Sequence, residues 1–204
     1  MKKQVLILIF ALLLSGILVG QEGSSISQSR KSNLINLLNY RYKGGFFDFE
    51  KLFNLKVTYP EMAKGNCIMG IILIDLTVDC NGTITDVRTK NNLGYGIDQM
   101  VSNFIVESEG QWNKCNDDKY TRMEIPVQFK IEGTQTAENE ALLVCIGQNP
   151  GLNCKDDDDY LKKAEAAIEK GKKKRALENL DKLIKRNPYN PTYYEMKQKA
   201  INLK

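Results

Sequence analysis

Histidine is absent from the chain. That excludes Ser-His-Asp and Cys-His catalysis and removes the commonest zinc ligand. No Cys-x-x-Cys pair occurs, so dithiol exchange and a zinc ribbon lose their usual signature. Carboxylates stand singly or in the run at residues 156–159, and none forms an acid/base pair. The run lacks the alternate spacing and glycine of a calcium loop. Gly94-Tyr95-Gly96 is too short a glycine pattern to cradle a phosphate between strand and helix. No catalytic residue, metal or cofactor is therefore expected, and a formal charge of only +4 gives no reason to expect nucleic acid.

A hydrophobic fraction of 42% over 204 residues suits one medium core or two small ones. Lys2 and Lys3 precede an uncharged apolar stretch over residues 5–20, which has the order of an export signal. At about 16 residues it falls short of the roughly 20 that cross a bilayer as a helix, so cleavage near Gly20 is favoured over a retained membrane anchor. Either outcome places the rest of the chain outside the cytoplasm, in the periplasm, free or held at the inner membrane. Disulfides are permitted there, and the five cysteines leave at least one without an internal partner. Charge is uneven: residues 155–204 carry 14 Lys and Arg against 9 Asp and Glu, so the tail is the basic part.

Residues 21–43 read as a flexible lead, rich in Ser, Gly and Gln to residue 33, and then a short amphipathic helix on Leu34, Ile35, Leu37 and Leu38 that stops at Gly44-Gly45. A second helix follows, with Phe46, Phe47, Phe49, Leu52 and Phe53 as a core-facing aromatic cluster. Residues 70–78 alternate as a strand with Ile72, Ile74, Leu76 and Val78 on one face. Asn81-Gly82 turns it back into a second, antiparallel strand over residues 83–89. Ile97, Met100, Val101, Phe104 and Ile105 recur at helical spacing and predict a helix packed on the sheet. Residues 120–131 alternate strictly, predicting a third strand with one wet face.

Pro126 has no N–H to give to a ladder, which places that third strand at an edge. A right-handed crossover from the second strand gives the order 2-1-3. The fold class is α+β, a small antiparallel three-stranded sheet packed on helices and followed by a C-terminal helical hairpin. The 2-1-3 order brings Cys80 and Cys115 to one end of the sheet and predicts a bridge between them, with Cys145 and Cys154 closing a short loop and Cys67 left free. Residues 134–158 form a connector in which the apolar run 141–146 fits either a small strand or a seam between domains.

Tyr59-Pro60, Ala63, Gly70, Asn81-Gly82, Trp112, Pro126 and Phe129 follow one another in an order that resembles the C-terminal domain of TonB-type proteins. The likeness covers residues 44–133, about 90 of the 204. It implies a small periplasmic domain that binds an extended peptide of an outer-membrane transporter along its last strand, here at Arg122, Glu124, Pro126, Gln128 and Lys130. It implies structural roles for Tyr59, Pro60, Ala63, Gly70, Asn81, Gly82, Trp112 and Phe129. Strand addition supplies main-chain hydrogen bonds, with selectivity from alternate side chains. The expected function is thus that of an exported, non-catalytic interaction protein whose membrane contact is limited to its first 20 residues.

Two rivals share this sequence. One is an inner-membrane-anchored energy transducer, although all five prolines lie at or beyond Pro60, so the proline-rich spacer of such members is missing. The other is an envelope structural protein that pairs edge to edge with its own copy. In residues 159–204, Tyr160, Ala164, Ala167, Gly171, Ala176, Leu180, Leu183 and Pro188 resemble one tetratricopeptide unit, and a generic helical hairpin fits nearly as well. Residues after Asn190 start a further helix that caps the pair.

Overall fold

The computed structural model describes residues 19–136 and 140–203. The expected export segment, residues 1–20, lies outside the described residues except for its last two. Among the described residues no helix is long and apolar enough to cross a membrane.

The first helix, α1 (Val19–Arg41), is longer than the alternation of leucines suggests. Leu34 and Leu38, one turn apart, are buried in the core, which fixes its second half. The expected flexible lead is helical instead. Its physical reason is tertiary: Ser27 is buried, and Arg30 is fixed by Glu140 at 3.2 Å and by the ring of Tyr189 at 3.7 Å. Gly44 and Gly45, both at positive φ, then turn the chain into α2 (Gly45–Lys56). Phe49 and Phe53 face the core from α2, but Phe47 is 72% exposed. It stands about 200° around the helix from Phe49, so the expected aromatic cluster loses this member. Pro60 caps the one-turn helix α3 (Glu61–Gly65), where a missing N–H costs nothing.

β1 (Gly70–Val78) and β2 (Ile84–Thr89) form the hairpin. Asp79 Oδ1 accepts from the amides of Asn81 and Thr83 at 2.9 and 2.8 Å. Gly82 sits at φ +91, and a Cβ there would meet the Trp112 carbonyl oxygen at 2.4 Å, so only glycine fits. α4 (Ile97–Glu107) buries Ile97, Val101, Phe104 and Ile105. After a 3-10 turn at Asp118–Tyr120 comes β3 (Arg122–Ile131), antiparallel to β1 with Gly70 opposite Phe129 and Leu76 opposite Met123.

The sheet does not stop at three strands. β4 (Leu143–Gly147) pairs parallel with β3, giving a four-stranded mixed sheet in the order β2-β1-β3-β4. The apolar run 141–146 is therefore a strand, and the expected connector supplies part of the sheet. Even-numbered residues of β1 and odd-numbered residues of β3 point into the main core, together with Leu143 and Cys145 of β4. The opposite face of β3, expected to be wet, is so only towards its ends: Arg122 is exposed and Glu124 and Lys130 are half-buried. Pro126 and Gln128 are both buried there, and Gln128 Nε2 donates to Thr136 Oγ1 at 3.1 Å.

Three helices close the chain: α5 (Asp157–Glu169), α6 (Lys173–Arg186) and α7 (Pro191–Ile201). Ala164, Ala167, Ala176, Leu180, Leu183, Tyr193 and Ala200 give them a small core of their own. Three carboxylates in the first turn of α5 complement the helix dipole, and Asn190 caps α7 by accepting from the Thr192 amide. The unit leans on the start of β1. A Cβ on Gly70, at φ +154, would meet the Lys185 carbonyl oxygen at 2.3 Å, so glycine permits the approach.

Candidate functional site

The predicted peptide-binding edge was Arg122, Glu124, Pro126, Gln128 and Lys130 of β3, and the structure contradicts it. Val127 through Ile131 pair with Leu143 through Gly147 of the same chain, so this flank is occupied. Nearer the start of β3, the side chains of Arg30, Asn33, Leu34 and Leu37 of α1 stand against Arg122, Met123 and Glu124 across an open groove. Pro126 fits without an exposed edge. Odd-numbered residues of β3 bond to β1, as the 2.8 Å bond from Val78 N–H to the Thr121 carbonyl shows, so the proline nitrogen faces the β4 side. There β4 is only beginning: Leu142 N–H donates to the Pro126 carbonyl at 2.9 Å.

The same parity locates the true rim. Even-numbered residues of β3 face β4, and Glu132 N–H donates to the Gly147 carbonyl at 2.9 Å. With Gln128 opposite Val144 and Lys130 opposite Ile146, the inward bonds of β4 fall on Leu143, Cys145 and Gly147. Val144 and Ile146 turn their N–H and C=O groups away from the sheet. Among the described residues no main-chain group bonds to that outward side. Their side chains lie on the face opposite the core, 36% and 60% exposed. Two consecutive outward main-chain pairs with two β-branched side chains form a short docking strip.

Tyr59 supports this strip from behind. Its ring meets Phe129 edge to face at 5.4 Å, a Cβ on Gly147 would strike it at 2.7 Å, and its hydroxyl donates to the Ile68 carbonyl. Burial pushes the phenol far above its ordinary range, so it stays a neutral donor. Ala63 is the fully buried residue of α3, while Trp112 bridges to Tyr42 and donates from Nε1 to Ser108 Oγ at 3.0 Å. These motif residues are packing and corner positions, and none of them lines the rim.

Glu124 does not face a visiting strand. It accepts from Lys90 at 2.6 Å and from the Tyr189 hydroxyl at 2.8 Å, while Arg30 covers the Tyr189 ring. Burial pushes the Glu124 carboxyl up, but the Lys90 and Tyr189 hydrogen bonds together outweigh it and the net is a lowered pKa. This node joins α1, the residue after β2, β3 and the loop between α6 and α7. Arg41 is a second feature with no sequence signal: it is buried, and its Nη2 donates to the Val78 and Asp79 carbonyls at 3.2 and 2.7 Å, clamping α1 to the hairpin turn.

Cys80 and Cys115 are joined at the hairpin end. The second bridge differs from expectation. Cys67, expected free, is bonded to Cys154, and Cys145 is the free thiol. The reason is the strand: Cys145 points from β4 into the core, while the loop after β4 carries Cys154 back to the chain entering β1. Burial pushes the Cys145 thiol up to about 11, which leaves it a small buried hydrophobe at neutral pH. Among the described residues no group of three or more metal-ligating side chains is brought together.

No family model matches the chain, and no curated protein matches it. Among solved structures, the solution structure of the Helicobacter pylori TonB C-terminal domain is similar at a TM-score of 0.34 and 20% identity, over 40% of this chain and 88% of that one. A likeness this loose leaves function to be read from the residues themselves.

Proposed function

We propose that the chain is an exported, non-catalytic protein-interaction protein that takes an extended peptide onto the outer rim of β4. The observation that carries this reading is the outward main chain of Val144 and Ile146, without a main-chain partner among the described residues and flanked by their exposed side chains. A visiting strand paired there would extend the sheet to five strands and bury two branched side chains that now face solvent. The basic-then-apolar N-terminus and the two disulfides support an oxidising compartment such as the periplasm. The partner is then an extended segment of another envelope protein, and transport across the envelope is one process that uses such contacts.

Selection from a random decapeptide library against the whole mature chain tests the reading. Val144→Pro and Ile146→Pro each delete an outward N–H while sparing the bonds to β3. Selected peptides should bind these variants about tenfold or more weakly, with the far-ultraviolet spectrum unchanged. Peptides that bind the variants and the parent equally would sink the proposal.

A further inference from the structure

The basic character of the tail is concentrated at one place. Lys162 and Lys163 of α5, Lys170 of the following turn, and Lys172 and Arg175 at the start of α6 surround a cleft of about 250 Å³ floored by Ala166 and Ala167. One carboxylate, Asp159, lines it with them. Glu165 and Glu169, the acids of the second half of α5, do not. Elsewhere in the unit two cations are ion-paired: Arg186 with Asp157 and Lys197 with Asp181, each at 2.7 Å. Among the described residues none of the five cleft cations forms an ion pair.

Such crowding is unfavourable in the empty protein. The neighbouring Lys155 side chain, then desolvation and Arg175, lower the pKa of Lys163. Lys173 and Lys174 add to the charge at the beginning of α6, a helix with no acidic residue in its first turn and no side-chain cap. Cations at that end oppose the helix dipole, the reverse of what stability favours. A ligand of concentrated negative charge would relieve both strains.

We propose that the cleft between α5 and the start of α6 is a binding site for a phosphate-bearing anion. A single carboxylate carries one charge, too little to balance five cations and one acid. A phosphate monoester approaches two negative charges and offers three strong acceptor oxygens. Lysine serves as a point-charge partner for phosphate without demanding planar geometry, and arginine adds a forked contact. The alanine floor leaves room for the group between the two helices. The phosphate has two available sources in an envelope compartment, a lipid headgroup and a soluble phosphate compound, and the same cations recognise both.

The test uses the mature chain with two probes: inorganic pyrophosphate followed by calorimetry, and sedimentation with vesicles containing phosphatidic acid, a phosphate monoester, against phosphatidylcholine vesicles. Saturable binding of at least one anionic probe is expected, weakening by about tenfold as salt rises several-fold. The double variants K163Q/R175Q and K162Q/K172Q, all at surface positions, should each weaken it by about tenfold, whereas K51Q/K114Q should leave it unchanged. Vesicle binding without pyrophosphate binding identifies a lipid headgroup, and pyrophosphate binding identifies a soluble phosphate. No binding of either probe, or equal loss in all three double variants, overturns the proposal. Peptide capture at β4 is read separately and does not depend on this result.

Discussion

Glu124 was expected to stand on an open edge and instead anchors a node of four segments, and its chemistry makes that role measurable. Its folded carboxyl has a lowered pKa, so the stability it contributes is complete above the ordinary glutamate range and is lost as pH falls through the folded value. Glu124→Gln should cost about 1 kcal/mol at neutral pH and flatten the decline in stability on the acid side, as followed by urea unfolding. An unchanged acid slope would show that Lys90 and Tyr189 do not hold the carboxylate. Residues whose constraint is local were legible in the sequence: Asn81-Gly82 at a turn and Gly44-Gly45 at a helix end. Glu124 and Arg41 were not, because Tyr189 lies 65 residues from Glu124 and the carbonyls that hold Arg41 lie 37 and 38 residues from it.

Among elements, β1, α4 and β3 were readable because each carries its own period, two for the strands and 3.6 for the helix, and β2 because Asn81-Gly82 turns the chain back. At β4, the six apolar residues 141–146 cannot by themselves distinguish a strand from a packed seam. Its partner is a parallel strand, which no hairpin turn announces. The placement of Pro126 at an edge followed a sound rule that has a second solution, a proline nitrogen facing the point where the next strand begins. The two faces of β4 provide the check. Leu143 is fully buried and Ile146 is 60% exposed. Leu143→Ala should destabilise the protein by about 2 to 4 kcal/mol, while Ile146→Ala should cost about 0.5 kcal/mol or less. The reverse ranking in denaturant unfolding would mean that β4 is turned over.

At the scale of the molecule, the chain is one α+β sheet core with a helical unit leaning on it, and the Cys67–Cys154 bridge ties the approach to that unit to the start of β1 across 87 residues. Replacing both cysteines by serine should lower stability by about 3 to 4 kcal/mol, read from the shift in denaturation midpoint, because so long a loop is closed in the unfolded chain. The single change Cys145→Ser should remove no crosslink in unreduced mass mapping. The interaction proposal rests on which strand is outermost, and amide hydrogen exchange of the free protein, resolved by NMR, reads that directly. The account predicts slow exchange at Gln128 and Lys130, which face β4, and fast exchange at Val144 and Ile146, which face outward. Fast exchange at Gln128 and Lys130, or protection of Val144 and Ile146 in the monomer, would contradict it.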